Sequence, residues 1–205
     1  MFITFEGPDG SGKSTIIQKV YDYLIENNYD VIKTREPGGS PIAEKIRNLI
    51  LDTENTKMGY RTEALLYAAS RAQHVEETIL PALNENKIVL CDRFLISSLA
   101  YQGVGRDLGI ENVRKINEFA INGVFPDFVL FFDVDPITTL KRKSSLDTAD
   151  RLEKEGNNFH ERVYNGYKEI LNSEKNVEII DATQSVEDVF SQCIKVLKRR
   201  NVLWN

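Results

Sequence analysis

The chain has 205 residues, 41% of them hydrophobic and 28% charged, enough for one domain with a proper core and against wholesale disorder or fibrous repeats. Lysine and arginine number 26 against 31 aspartates and glutamates, a formal charge of −5 that argues against a general nucleic-acid coat protein. A small phosphorylated ligand is not excluded, because it feels the local field rather than the sum.

The pattern alternates short β-branched runs with longer helical stretches. FITFE (2–6) predicts a buried strand, and KSTIIQKVYDYLIENN (13–28) a helix with Ile16, Ile17, Val20 and Leu24 on one face. DVIKT (30–34) reads as a second strand, followed by helices around 41–51 and 60–84. KIVLCD (87–92), DFVLFFDV (127–134) and VEIID (177–181) supply three more strands. Helices are expected near 93–102, 111–122, 136–144, 157–173 and 185–199. Runs such as VLFF suit strands buried on both faces of a parallel sheet. The expectation is an α/β fold, a five-stranded parallel sheet with helices on both faces, and ligands at the carboxyl ends of its strands. The polar stretch 143–158 reads as a functional lid or a plain surface loop.

Cys91 and Cys193 are too few for a disulfide framework or a zinc cluster and read as buried small hydrophobes. The opening MFITFEGPDG has no basic region and no long apolar run, and no stretch approaches bilayer length, so a cytoplasmic protein without membrane partners is expected. The basic tail KVLKRR (195–200) is explained by the dipole of a helix C-terminus rather than by a polyanion site.

The sharpest signal is GPDGSGKS (7–14), which matches G-x-x-x-x-G-K-[ST] between a strand and a helix. Gly7, Gly10 and Gly12 let the backbone curl so that successive N–H groups point at phosphate oxygens. Pro8, Asp9, Ser11 and Thr15 complete the loop and the helix start. Lys13 is placed for the β- and γ-phosphates of a nucleotide, and the Ser14 hydroxyl for Mg²⁺. The same loop serves switches, motors and small-molecule kinases. An N-K-x-D guanine-reading element is absent, and the chain is short for a motor, which favours a kinase for a small acceptor. Asp92, at the end of IVLC, is placed for the metal shell, and Arg93 for an anionic acceptor.

TREPGGSPIAEKIR (34–47), RTEALLYAASRAQH (61–74), CDRFLISSLAYQG (91–103), NEFAINGVFPDFVLFFDV (117–134) and IIDATQSVEDV (179–189) together resemble the bacterial thymidylate kinase family over essentially the whole chain. The resemblance implies a single P-loop NTPase domain, a three-layer sandwich, that converts dTMP to dTDP with ATP and Mg²⁺. It implies Asp9 at the sugar hydroxyl, Glu36 near the acceptor phosphate and metal with Arg35 just before it, and Arg47 by the base and phosphate. Tyr67 would stack on the base, Arg71 would donate to its carbonyl oxygen, and Ser98 and Gln102 would read its remaining edge. Tyr101 would pack beneath the sugar. Taken singly, each has an ordinary structural role; their joint register carries the assignment. A kinase for another nucleoside monophosphate, or a nucleotide-binding switch, remains the alternative.

The resemblance also implies a lid at about 141–156 that supplies a cation to the transferred phosphate. Arg142 and Arg151 are its candidates, although the stretch between them holds fewer arginines than some relatives carry. Thr183 and Gln184 should offer backbone to adenine. A homodimer is implied, with the helices near 41–51 and 60–84 as interface material. The convergence of Lys13, Arg35, Arg47, Arg71, Arg93 and the lid bases predicts a locally positive cleft despite the net charge.

Overall fold

The computed structural model describes residues 1–136, 138–139 and 150–203. Five parallel strands form one sheet: β1 (Phe2–Glu6), β2 (Val31–Arg35), β3 (Ile88–Asp92), β4 (Phe128–Asp133) and β5 (Val177–Asp181), in the order β2-β3-β1-β4-β5. β1 sits in the middle, hydrogen-bonded to β3 and β4, with Phe5 opposite Asp92 and Glu6 opposite Phe131. The next pair places Arg35 opposite Asp92, so the polar ends of β2 and β3 emerge side by side.

Strand alternation divides the core in two. Ile3, Phe5, Leu90, Leu130 and Phe132 face one side, where they pack on helices α1 (Lys13–Glu26) and α8 (Val186–Arg199). Phe2, Val89, Cys91, Val129 and Phe131 face the other, against the remaining helices. The inner strands β1, β3 and β4 are therefore buried on both faces, as their unbroken apolar runs predict, while the edge strands β2 and β5 are partly exposed. Ile16, Ile17, Val20 and Leu24 are the buried stripe of α1.

On the second face lie α2 (Pro41–Leu51), α3 (Tyr60–His74), α4 (Leu80–Asn84), α5 (Leu95–Ser98), α6 (Ile110–Ile121) and α7 (Asn157–Leu171). The expected helix 60–84 is divided by a π-helical turn, Val75–Ile79, that leads into α4. Pro81 explains the break, because its ring clashes with the preceding turn and it has no N–H to donate. The expected helix from residue 93 starts only at Leu95 and widens into a π-helical segment over Leu99–Gly105. Arg93 has φ 68° and Phe94 is extended at φ −156°, so neither can open a helix. The expected helix 136–144 and residues 141–149 of the expected lid, with Arg142, lie largely or wholly outside the described residues. Both cysteines are buried and unpaired, and Arg199 and Arg200 pair with Glu178.

Candidate active site at the carboxyl ends of the strands

The loop 7–12 leaves the central strand and runs into the N-terminus of α1. Gly7 has φ 141°, and a Cβ there would meet the Phe132 carbonyl oxygen at 2.7 Å. Gly12, at φ 87°, has open space around it, so conformation alone asks for glycine. Lys13 is buried, and its Nζ donates to the carbonyls of Gly7 (3.0 Å) and Pro8 (2.8 Å) and to Ser11 Oγ (3.2 Å). Burial, helped by the nearby Arg93 charge, lowers its pKa to about 8 against the pull of Asp92, Asp9 and Glu6.

Ser14 and Asp92 meet across the β1–β3 boundary, the serine Oγ donating to Asp92 Oδ2 at 2.8 Å. Asp92 Oδ1 is buried without a hydrogen-bond partner among the described residues. An orphaned carboxylate oxygen beside a phosphate-loop hydroxyl fits a hard cation that brings its own waters and phosphate oxygens. No cluster of three or more acidic, histidine or cysteine side chains among the described residues could hold a metal alone.

Arg93 ties the loop to the acceptor side. Its Nη1 donates to the Gly7 carbonyl (2.9 Å), Ser97 Oγ (3.1 Å) and Tyr167 OH (3.1 Å), and its Nη2 to Asp9 Oδ1 (2.5 Å). Tyr101 lies under this guanidinium and donates to the other Asp9 oxygen at 2.8 Å. Behind them, Glu6 accepts from the Phe94 N–H and from Ser97; burial raises its pKa despite those bonds.

Arg71 is only 2% exposed. Its Nε donates to Glu36 Oε2 (2.7 Å), its Nη1 to Ser98 (3.1 Å) and Asn117, and its Nη2 to the Phe94 carbonyl (2.9 Å). Of its five N–H groups, one on Nη2 has no acceptor among the described residues. His74 sits between Glu36 Oε1 (2.9 Å) and Thr34 Oγ1 (2.7 Å). Arg47 donates to the Pro37 carbonyl at 2.8 Å, and Arg35 pairs with Glu44. Tyr67 lines the same cleft, its phenol held neutral chiefly by burial and then by Glu63.

One cleft collects Asp9, Glu36, Arg47, Tyr67, Arg71, Arg93, Ser98, Tyr101 and Gln102, together with Ser14 and Asp92. Its described lining holds four arginines (Arg35, Arg47, Arg71, Arg93) and five carboxylates (Asp9, Glu36, Asp92, Asp150, Glu153), while the bases expected of the lid over 141–149 lie outside the described residues. Two of these carboxylates aim guanidinium groups, Asp9 that of Arg93 and Glu36 that of the buried Arg71. Arg151 lies elsewhere than expected of a lid finger. It donates to Glu63 (2.6 Å) and the Ile50 carbonyl (2.9 Å), while its neighbours Asp150, Leu152 and Glu153 line the cleft. Thr183 and Gln184 form an exposed turn built on Asp181.

The residues missed from sequence are the supporting ones: Glu6, Glu63, His74, Ser97, Arg106, Asn117 and Tyr167. A signal existed for two of them. Glu63, Tyr67, Arg71 and His74 repeat at three- and four-residue steps on α3, a polar stripe on the buried face of a helix. Asn117 and Tyr167 come from distant helices and carry no such mark.

A phosphate loop on the central strand, an acidic strand end beside it and a shaped acceptor cleft define a P-loop nucleotide-binding enzyme. The family model for thymidylate kinase matches residues 5–193. The thymidylate kinase of Finegoldia magna is 98% identical over 99% of this chain and 100% of its own length. That of Lactobacillus helveticus is 54% identical over 97% and 96%. The crystal structure of thymidylate kinase from Ehrlichia chaffeensis matches with a TM-score of 0.78 at 34% identity, covering 97% of this chain and 98% of that one. The chain belongs to the thymidylate kinase family.

Proposed function

We propose that the chain phosphorylates dTMP to dTDP with ATP, in the cytoplasm and with Mg²⁺ bound alongside the nucleotide. One observation carries this reading: the acceptor residues named from sequence line a single cleft that opens onto Ser14 and Asp92 beside the phosphate loop. A phosphate oxygen of dTMP attacks the γ-phosphorus in line, the bond to the β–γ bridging oxygen breaks, and ADP leaves. No side-chain nucleophile is needed; the protein positions the two phosphates and offsets their charge.

Lys13 would exchange its bonds to the loop carbonyls for the β- and γ-phosphates. Arg93, already fixed by Gly7 and Asp9, would meet the acceptor phosphate, with Arg47 on its far side. Mg²⁺ held through Ser14 and Asp92 supplies charge neutralisation across the phosphates when bound. Tyr67 would stack on the base and Arg71 offer its remaining N–H to it. Asp9 and Tyr101 would floor the sugar. Arg142 is the proposed lid cation, since Arg151 would have to leave Glu63 to reach a transferred phosphate.

The proposal extends to a homodimer. α2, α3 and α6 pack side by side, and each presents exposed apolar residues: Ile42 and Leu49, Leu65, and Phe119 at 89% exposure. Light scattering on the eluting protein tests it, a single monomer mass at micromolar concentration being the contrary result. Product analysis tests the reaction: dTMP and ATP should yield dTDP and ADP one for one. ATP consumption without dTDP would overturn the reading.

A further inference from the structure

Gln102 lines the cleft, and the atom it offers to an occupant is decided by a residue outside the lining. Its Nε2 donates to Glu63 Oε1 at 3.0 Å. Glu63 is 0% exposed and does not border the cleft. Its carboxylate also accepts from Arg106 Nε at Oε1 and Nη2 at Oε2, both at 3.2 Å, and from Arg151 at Oε2, 2.6 Å. Both of its oxygens already face guanidinium N–H donors, so Glu63 is placed to accept from Gln102. The Gln102 amide must then turn its nitrogen to Glu63, which leaves Oε1 for the cleft. That oxygen takes no hydrogen bond among the described residues.

We infer that Glu63 is a positioning residue for nucleobase specificity: by fixing the Gln102 amide it makes the cleft accept at one point where Arg71 donates at another. The inference rests on the reading that Gln102 meets the base. A donor beside an acceptor suits a pyrimidine with a C4 carbonyl and an N3–H, as in thymine or uracil. Cytosine presents the reverse, an amino group at C4 and a bare N3, and would leave buried donors facing donors. A glutamine free to flip could meet N3 of either ring. The clamp on Glu63 prevents the flip, because an exchange would set the amide oxygen against a carboxylate oxygen.

Selectivity, the kcat/KM ratio of dTMP to dCMP, tests this because it is insensitive to the fraction of protein folded. Glu63→Gln can donate or accept, so it should lower the ratio by about 10-fold or more, chiefly through the KM values. Gln102→Met should lower it comparably, and the double variant no further. If Gln102→Met lowers the ratio while Glu63→Gln leaves it at wild type, Glu63 is a structural anchor only and the inference is wrong. If neither variant changes it, Gln102 does not meet the base, and the site reading falls with the inference. Should Glu63→Gln not fold, Glu63→Asp keeps the charge for Arg106 and Arg151 but falls short of Gln102. An unchanged ratio there would equally overturn the inference.

Discussion

Arg93 and Asp9, 84 residues apart, form a 2.5 Å ion pair in which the arginine also holds the Gly7 carbonyl, so two points of the phosphate loop share one guanidinium. Arg93 reaches this place from a left-handed backbone at φ 68°, a conformation that side chains other than glycine adopt at a cost. The fork geometry is what a lysine cannot reproduce. Arg93→Lys should lower kcat by roughly 10²–10³-fold with a smaller change in the KM for ATP, read from steady-state kinetics. Retained turnover would remove Arg93 from the transfer step.

Lys13 gives a pH signature. Its pKa of about 8 rises when phosphates replace the surrounding carbonyls, so binding takes up protons. The gain is fully present below pH 8 and fades as pH rises toward the bound-state value. Calorimetry of nucleotide binding at pH 8, in two buffers of different ionisation enthalpy, should report proton uptake that shrinks at pH 6.5. Lys13→Ala should abolish it and lower kcat by about two to four orders of magnitude.

Arg71→Ala should do two things at once. Loss of the leftover N–H weakens dTMP binding while ATP binding holds. Loss of the buried partner strands Glu36 and Asn117, with a destabilisation of about 3–5 kcal/mol. Thermal melts with and without dTMP separate the two effects.

Asp92→Asn should raise the Mg²⁺ concentration needed for half-maximal activity. The melting temperature of the nucleotide-free protein should hold or rise, because the carboxylate replaced has one buried oxygen without a partner among the described residues. A large drop in melting temperature would point to a structural role instead.

Of the two arginines proposed for the lid, Arg142→Ala should mainly lower kcat. Arg151→Ala should mainly lower stability, since Arg151 is bound to Glu63 and the Ile50 carbonyl. The reverse pattern would make Arg151 the transferring cation.

The sheet was legible because strands buried on both faces write themselves as unbroken apolar runs, as in the Phe128–Asp133 strand. Helix ends were less so. Pro81 and the left-handed Arg93 changed local geometry inside segments whose periodicity reads as plain helix. The phosphate loop was plain because its chemistry is local: eight consecutive residues bind one group. The acceptor cleft needed the family resemblance, since its side chains come from five separate segments. Its supporting carboxylates, Glu63 above all, stayed hidden because a buried charge is justified only by partners that are distant in sequence.

The central claim is tested most directly by acceptor-dependent ADP release from ATP, measured in parallel with dTMP, dUMP, dCMP, AMP, GMP and UMP. The account predicts rapid turnover with dTMP and little with AMP, GMP or dCMP. Turnover with AMP and none with dTMP, or ATP binding with no acceptor-dependent ADP release, would contradict it.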